Sequence, residues 1–126
     1  MKAILDTSVV LSTDVPPLEG ELAVSSATLA ELHFGVLIAH DPAVRAERLR
    51  RLSVLQRTFD SLPIDDSVAA SFGVIAAAVA SAGRQPRGRV MDLLIAATAH
   101  ANGARLYTRN AADLVGIDSL VDIAGI

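Results

Sequence analysis

The chain is read from its sequence as an α/β protein, a parallel sheet with helices on both faces, on three observations. Short apolar segments alternate with longer segments of helical period, the pattern of strands joined by helical crossovers. Hydrophobic residues make up 52% of the chain and aromatic residues only 3%, so the core is built from Ala, Val, Leu and Ile. The chain opens MKAILDTSVVL, an apolar run that stops on Asp6, Thr7 and Ser8. A core strand ending on a carboxylate and two hydroxyls points to the end of the sheet where open parallel folds keep their functional crevice.

The elements follow in order. Residues 2–5 read as the first strand and 22–25 as the second, separated by a loop holding Pro16, Pro17 and Gly20. A helix over 28–40 places Leu29, Leu32 and Val36 on one face, and Asp41-Pro42 breaks it before a second helix over 43–59, in which Val44, Leu49, Leu52 and Leu55 face inward. LPI at 62–64 is a short third strand, and 66–82 is an Ala- and Val-rich helix closed by Gly83. The loop GRQPRGR leads to a helix over 90–101, ended by Asn102-Gly103. Residues 104–108 form a fourth strand and 119–123 a fifth.

At 126 residues the expectation is one domain spanning 1–126, long enough to bury a core. A mean hydropathy of +0.45 is high for a lone soluble domain, so a partner or a second copy is expected to cover apolar surface. The absence of Cys excludes disulfides and thiolate metal sites and suits a cytoplasmic location. Lys2 and the short apolar run after it lack the length of a signal peptide. The longest apolar stretch, SVAASFGVIAAAVASAG, is interrupted by Ser71 and Ser81 and is too short for a membrane span.

Asp6 stands at the carboxyl end of the first strand. Helices that follow parallel strands start at that same end of the sheet, as do those that lead into the next strand. Glu31, Asp92 and Asp113 are therefore expected on the same face as Asp6. Each has a plain structural explanation. Asp6 can start a turn with Thr7 and Ser8, Thr28 and Glu31 fit a capping box, Asp92 favours the positive end of its helix, and Asn110 with Asp113 resembles a cap. Independent caps have no reason to gather at one crevice, whereas a metal site requires it. Asp92 lies in an otherwise apolar helix and is expected to be partly buried, in need of a cation or donor.

Crowded carboxylates repel unless a cation neutralises them, and all-oxygen ligation suits Mg²⁺ or Mn²⁺ rather than Zn²⁺. His33, His40 and His100 form no metal motif. A hard-metal acidic site serves phosphoryl chemistry, which favours a phosphodiesterase or phosphatase.

The segments LDTSVV, SSATLAEL, MDLLIAATA and TRNAADL, in that order and spacing, resemble the PIN-domain nucleases and, more closely, the VapC-like toxins of type II toxin-antitoxin pairs. The resemblance covers essentially the whole chain. It implies a three-layer sandwich around a parallel sheet of order 3-2-1-4-5. It also implies catalytic Asp6, Glu31, Asp92 and Asp113, with Asp6, Asp92 and Asp113 binding Mg²⁺ or Mn²⁺ and with Ser8, Thr108 and Asn110 in support. The implied activity is cleavage of single-stranded or loop RNA by an endoribonuclease that a cognate antitoxin inhibits, in a homodimer or a toxin-antitoxin hetero-oligomer. Leu114 departs from the pattern, standing where many relatives carry an aromatic residue.

The formal charge of −3 turns slightly positive once the four site acids are set aside, so the rest of the chain need not repel RNA. Arg84, Arg87 and Arg89 cluster just before Asp92 as a candidate phosphate clamp. The arginines of RAERLRRLSVLQR fit a solvated helix face. With Tyr107 as the only tyrosine, base stacking is poorly supplied. Two other classes fit less well. A haloacid-dehalogenase-like phosphatase needs a second Asp where Ser8 stands, and a non-catalytic PIN-like binding module would be expected to lack part of the acidic quartet. A PIN nuclease without an antitoxin is the remaining alternative.

Overall fold

In the first strand, β1 (Lys2–Leu5), Lys2 is exposed while Ala3, Ile4 and Leu5 are buried. Side chains alternate across a strand, so Ile4 enters one core, and Ala3 and Leu5 enter a second on the opposite face. The computed structural model describes all 126 residues, Met1–Ile126.

Five strands form one sheet of order β3-β2-β1-β4-β5, the order the resemblance implies. β2 (Glu21–Ser25) and β4 (Arg105–Thr108) both pair parallel with β1, and β3 (Asp60–Leu62) and β5 (Ile123–Gly125) are the edges. From β1 the chain builds outward to β3, then returns to place β4 against β1's other side. The switch in strand order thus falls between β1 and β4.

The longer helices are α2 (Ser26–Ile38), α3 (Pro42–Thr58), α4 (Asp66–Ser81) and α5 (Val90–Ala101), and α1 (Thr7–Val10) is a single turn directly after β1. Buried Val68, Ile75 and Val79 of α4 pack with Leu93, Ile95 and Ala96 of α5, Ile4 and Leu106 in the larger core. On the other face Val9 of α1 and Leu55 of α3 meet Ala3, Leu5, Val24 and Tyr107, with Leu29 and Leu32 of α2 against them. No helix is long and apolar enough to cross a membrane.

Several local expectations shift. β3 ends before Pro63, because proline cannot donate to a strand ladder. β5 starts at Ile123 because residues 117–121 form a helical turn, with Leu120 and Val121 both donating backbone N–H groups to Ile117 O. α2 starts at Ser26, with Ser25 Oγ accepting from Ala27 N at 3.1 Å, so the Thr28–Glu31 capping box does not form and Thr28 is buried inside the helix. In α3 only Leu52 and Leu55 face the core, and Val44 and Leu49 are exposed at 41% and 52%. Arginines of that helix have structural work too. Arg45 donates to Leu37 O and Ala39 O and Arg48 to Gly35 O, satisfying carbonyls at the end of α2 that lack helical partners.

Ser25 also meets Thr98 of α5 through their hydroxyls at 2.9 Å, in a fully buried contact that pins the junction of β2 and α2 against α5. Thr98 keeps a second bond, to Leu94 O at 2.8 Å, whatever happens at Ser25. Ser25→Ala therefore removes a helix cap without stranding its partner. The expected loss is about 1–2 kcal/mol in urea unfolding, and an unchanged midpoint and slope would contradict this role.

Candidate active site

The last rung between β1 and β4 is a backbone bond from Asp6 N to Tyr107 O at 3.1 Å. Beyond it the two chains part. β1 runs into α1, for which Asp6 is the N-cap, with Oδ1 accepting from Val9 N at 3.1 Å. β4 runs into a turn in which Asn110 N donates to Thr108 Oγ1 at 2.9 Å, followed by a short 3₁₀ turn, Ala111–Leu114, that carries Asp113. α5 begins beside this gap, with Asp92 in its first turn.

The result is a shallow cleft of about 20 Å³ lined by Asp6, Asp92, Thr108, Asn110 and Asp113 over a floor of Ile95, Leu106 and Leu114. That is room for a single ion or water, not for an organic ligand. Leu114 is buried in this floor and supplies packing, so its departure from the aromatic pattern leaves the polar residues in place.

Asp6 is held by two donors on the same oxygen. Ser8 Oγ donates to Oδ1 at 2.5 Å, and Ser8 in turn accepts from Arg109 N at 3.0 Å, so a relay from the β4 turn fixes the carboxylate and leaves Oδ2 for a ligand. The Arg109 side chain reaches Asp14, at 2.9 Å from Oδ1, which straps the loop after α1 to the same turn. Desolvation in the cleft raises the Asp92 pKa, Arg89 opposes that rise, and the negative charges of Asp6 and Asp113 add to it. The Asp92 residue as a whole is exposed, because the cleft is open on that side, while its carboxyl is desolvated enough to shift, in line with the partial burial expected.

Glu31 does not line this cleft. Its Oε1 accepts from Thr7 Oγ1 at 2.8 Å, and the side chain faces a neighbouring groove between α1, α2 and α3. Arg89 donates to Asp113 O and its charge acts on Asp92, although it is not among the residues that line the cleft. Arg84 and Arg87 are exposed and lie outside the lining. The sequence did not mark Thr7 or Arg109. The only signal for Thr7 was its place beside Asp6, and Arg109 had none.

No three His, Asp or Glu side chains stand in a geometry that would hold a metal ion as they are. The donor chemistry nevertheless fits Mg²⁺ or Mn²⁺. Three carboxylates and two neutral oxygen-bearing side chains meet in an ion-sized cleft, and desolvation, with the neighbouring carboxylates adding to it, raises the pKa of one of them.

Residues 3–112 match the PIN domain, so that Asp113 lies one residue beyond the match. Ribonuclease VapC8 of Mycobacterium tuberculosis is 36% identical over 100 residues, covering 76% of this chain and 88% of that protein. The chain belongs to the PIN-domain family of VapC ribonucleases. Ribonuclease VapC5 of the same organism is 32% identical over 126 residues, covering 95% of this PIN-domain chain and 90% of that protein. The crystal structure of VapBC-5 from M. tuberculosis, described as a member of the VapBC family of toxin-antitoxin systems, superposes with a TM-score of 0.84 at 32% identity, covering 99% of this chain and 97% of that one.

The raised Asp92 pKa sets a sign for stability. Ionising this carboxyl opposes folding, so in metal-free protein Asp92→Asn is expected to raise the melting temperature at neutral pH. The gain is full above the raised folded-state pKa and fades as pH falls towards the ordinary value of 3.8. Added Mn²⁺ is expected to raise the wild-type melting temperature more than that of the variant. Thermal unfolding across pH checks both, and a variant less stable than wild type in EDTA at pH 7 would contradict the assignment.

Proposed function

We propose that this chain is a Mg²⁺- or Mn²⁺-dependent endoribonuclease that cuts single-stranded or loop RNA, working as a single domain of residues 1–126 in the cytoplasm under the control of an antitoxin. The observation that carries this reading is the acidic cleft at the switch between β1 and β4.

Asp6, Asp92 and Asp113 would hold the metal. A divalent ion bound there would make water more acidic and offset the negative charge that builds on the phosphate and the leaving oxygen. Ser8 and Val9 N lock the Asp6 carboxylate in place, which limits the reorganisation needed when the ligand binds. Thr108 shapes the turn that presents Asn110 at the cleft, where its amide can orient the RNA phosphate. Glu31 lines the neighbouring groove, where Thr7 holds it; in this reading it completes the catalytic quartet from there, positioning the attacking water once RNA and metal are bound. Arg84, Arg87 and Arg89 supply backbone contacts to the RNA beside the cleft. Tyr107 is buried with its hydroxyl donating to Glu19 O at 2.8 Å, so it offers no stacking face.

Control by an antitoxin is supported by the groove beside Glu31. About 790 Å³ in volume, it is lined by Val10, Leu11, Leu32, Leu52, Leu55 and Phe59 and rimmed by Arg48, Arg50 and Arg51. Such a lining suits an amphipathic segment carrying acidic residues. Phe34, Leu37 and Ile38 add an exposed apolar patch on α2, at 64%, 71% and 50% exposure, which a second copy or the antitoxin would cover in a homodimer or hetero-oligomer.

The direct test is cleavage of a mixed pool of structured RNA with Mg²⁺, Mn²⁺ or EDTA, with and without the cognate antitoxin. Metal-dependent cutting is expected, blocked by the antitoxin and lowered by more than about 100-fold in Asp92→Asn, beyond the loss typical of residues that only support metal ligands. Folded, antitoxin-free protein that cuts nothing and binds no Mn²⁺ would instead identify a non-catalytic binding module. Cutting that the antitoxin does not affect would identify a nuclease without one.

A further inference from the structure

We infer that Thr7 is a positioning residue for Glu31, an inference that rests on the nuclease reading above. The backbone sets this up. Because Asp6 caps α1, Thr7 becomes the first residue of that turn and projects toward α2 and not into the cleft that Asp6 lines. Its Oγ1 donates to Glu31 Oε1 at 2.8 Å and lies 3.1 Å from Thr28 Oγ1. Thr28 is fully buried and precedes Glu31 by three residues on α2, so the two share a face. Thr7, the residue directly after Asp6, therefore ties the carboxylate of α2 to the start of α1.

The bond matters because Glu31 has another place to go. The groove it lines also carries Arg48, Arg50 and Arg51, yet none of the three ion pairs in the structure involves Glu31. A hydroxyl has one proton to give, and giving it to a carboxylate makes a charge-assisted bond. Without that donor the long Glu31 side chain is free to swing toward the arginines. A hydrophobic residue of the same shape at position 7 keeps the packing and removes the proton.

The test compares Thr7→Val, Thr7→Ala and Thr7→Ser in the wild-type and Glu31→Gln backgrounds, with the fold of each checked by thermal unfolding. The expected result is a fall in kcat of about 10- to 100-fold for Thr7→Val and Thr7→Ala, with KM for RNA unchanged. Thr7→Ser restores most of the rate, and no further loss occurs when Thr7 is changed in the Glu31→Gln background. In metal-free protein the Glu31 carboxyl ¹³C signal moves in Thr7→Val and stays in Thr7→Ser. The inference is overturned if folded Thr7→Val keeps the wild-type kcat and carboxyl signal, or if its loss is as large in the Glu31→Gln background. Wild-type protein that cuts no RNA would fail the function reading alone, and the carboxyl signal would still decide for or against Thr7.

Discussion

The structure depends on the point where β1 and β4 stop pairing. As long as the two central strands exchange backbone bonds, nothing can enter between them, and the rung from Asp6 N to Tyr107 O is the last one. Past it one chain turns into α1 and the other into the 108–110 turn, and the gap is what makes a cleft. Parallel pairing is the reason both strands open at the same end. The order 3-2-1-4-5 is the reason their crossovers leave on opposite sides and do not fill the gap.

That geometry brings like charges together, and the fold supports the arrangement unevenly. Asp6 is fixed by a hydroxyl, a backbone N–H and, one bond further out, the N–H of Arg109. Asp113 is placed by its own short turn and by Arg89 on its carbonyl. Asp92 has no such hydrogen bond, and its raised pKa records first the desolvation of its carboxyl and then the charges of Asp6 and Asp113 beside it. A site built in this way is pre-organised on the β1 side and under electrostatic tension on the α5 side. A divalent cation bound there would relieve that tension, whereas the nearby Arg89 offsets it only in part.

Much of this was legible in the sequence, for a physical reason. An apolar run that ends on Asp6 reports a strand end directly, and Asp92 in an apolar helix is conspicuous because charge is costly there. The parts that shifted carry weaker signals. β3 and β5 are three-residue edge strands, too short for periodicity to locate. α1 is a single turn that the Asp6 cap creates, and its sequence, TSVV, looks like more strand. Glu31 was placed with the other acids because strand-end topology says nothing about where a long side chain points, and Thr7 and the groove decide that. Arg109 acts on Ser8 through its backbone N–H, which no side-chain identity encodes.

The central claim is that a divalent ion belongs between the ends of β1 and β4. Titrating substoichiometric Mn²⁺ into ¹⁵N-labelled protein and following paramagnetic line broadening tests it directly. The account predicts that the amides of residues 6–9, 90–93 and 108–114 broaden first and together, while those around His33, His40 and His100 persist. Broadening centred on the histidines, or spread evenly over the acidic surface, would contradict it.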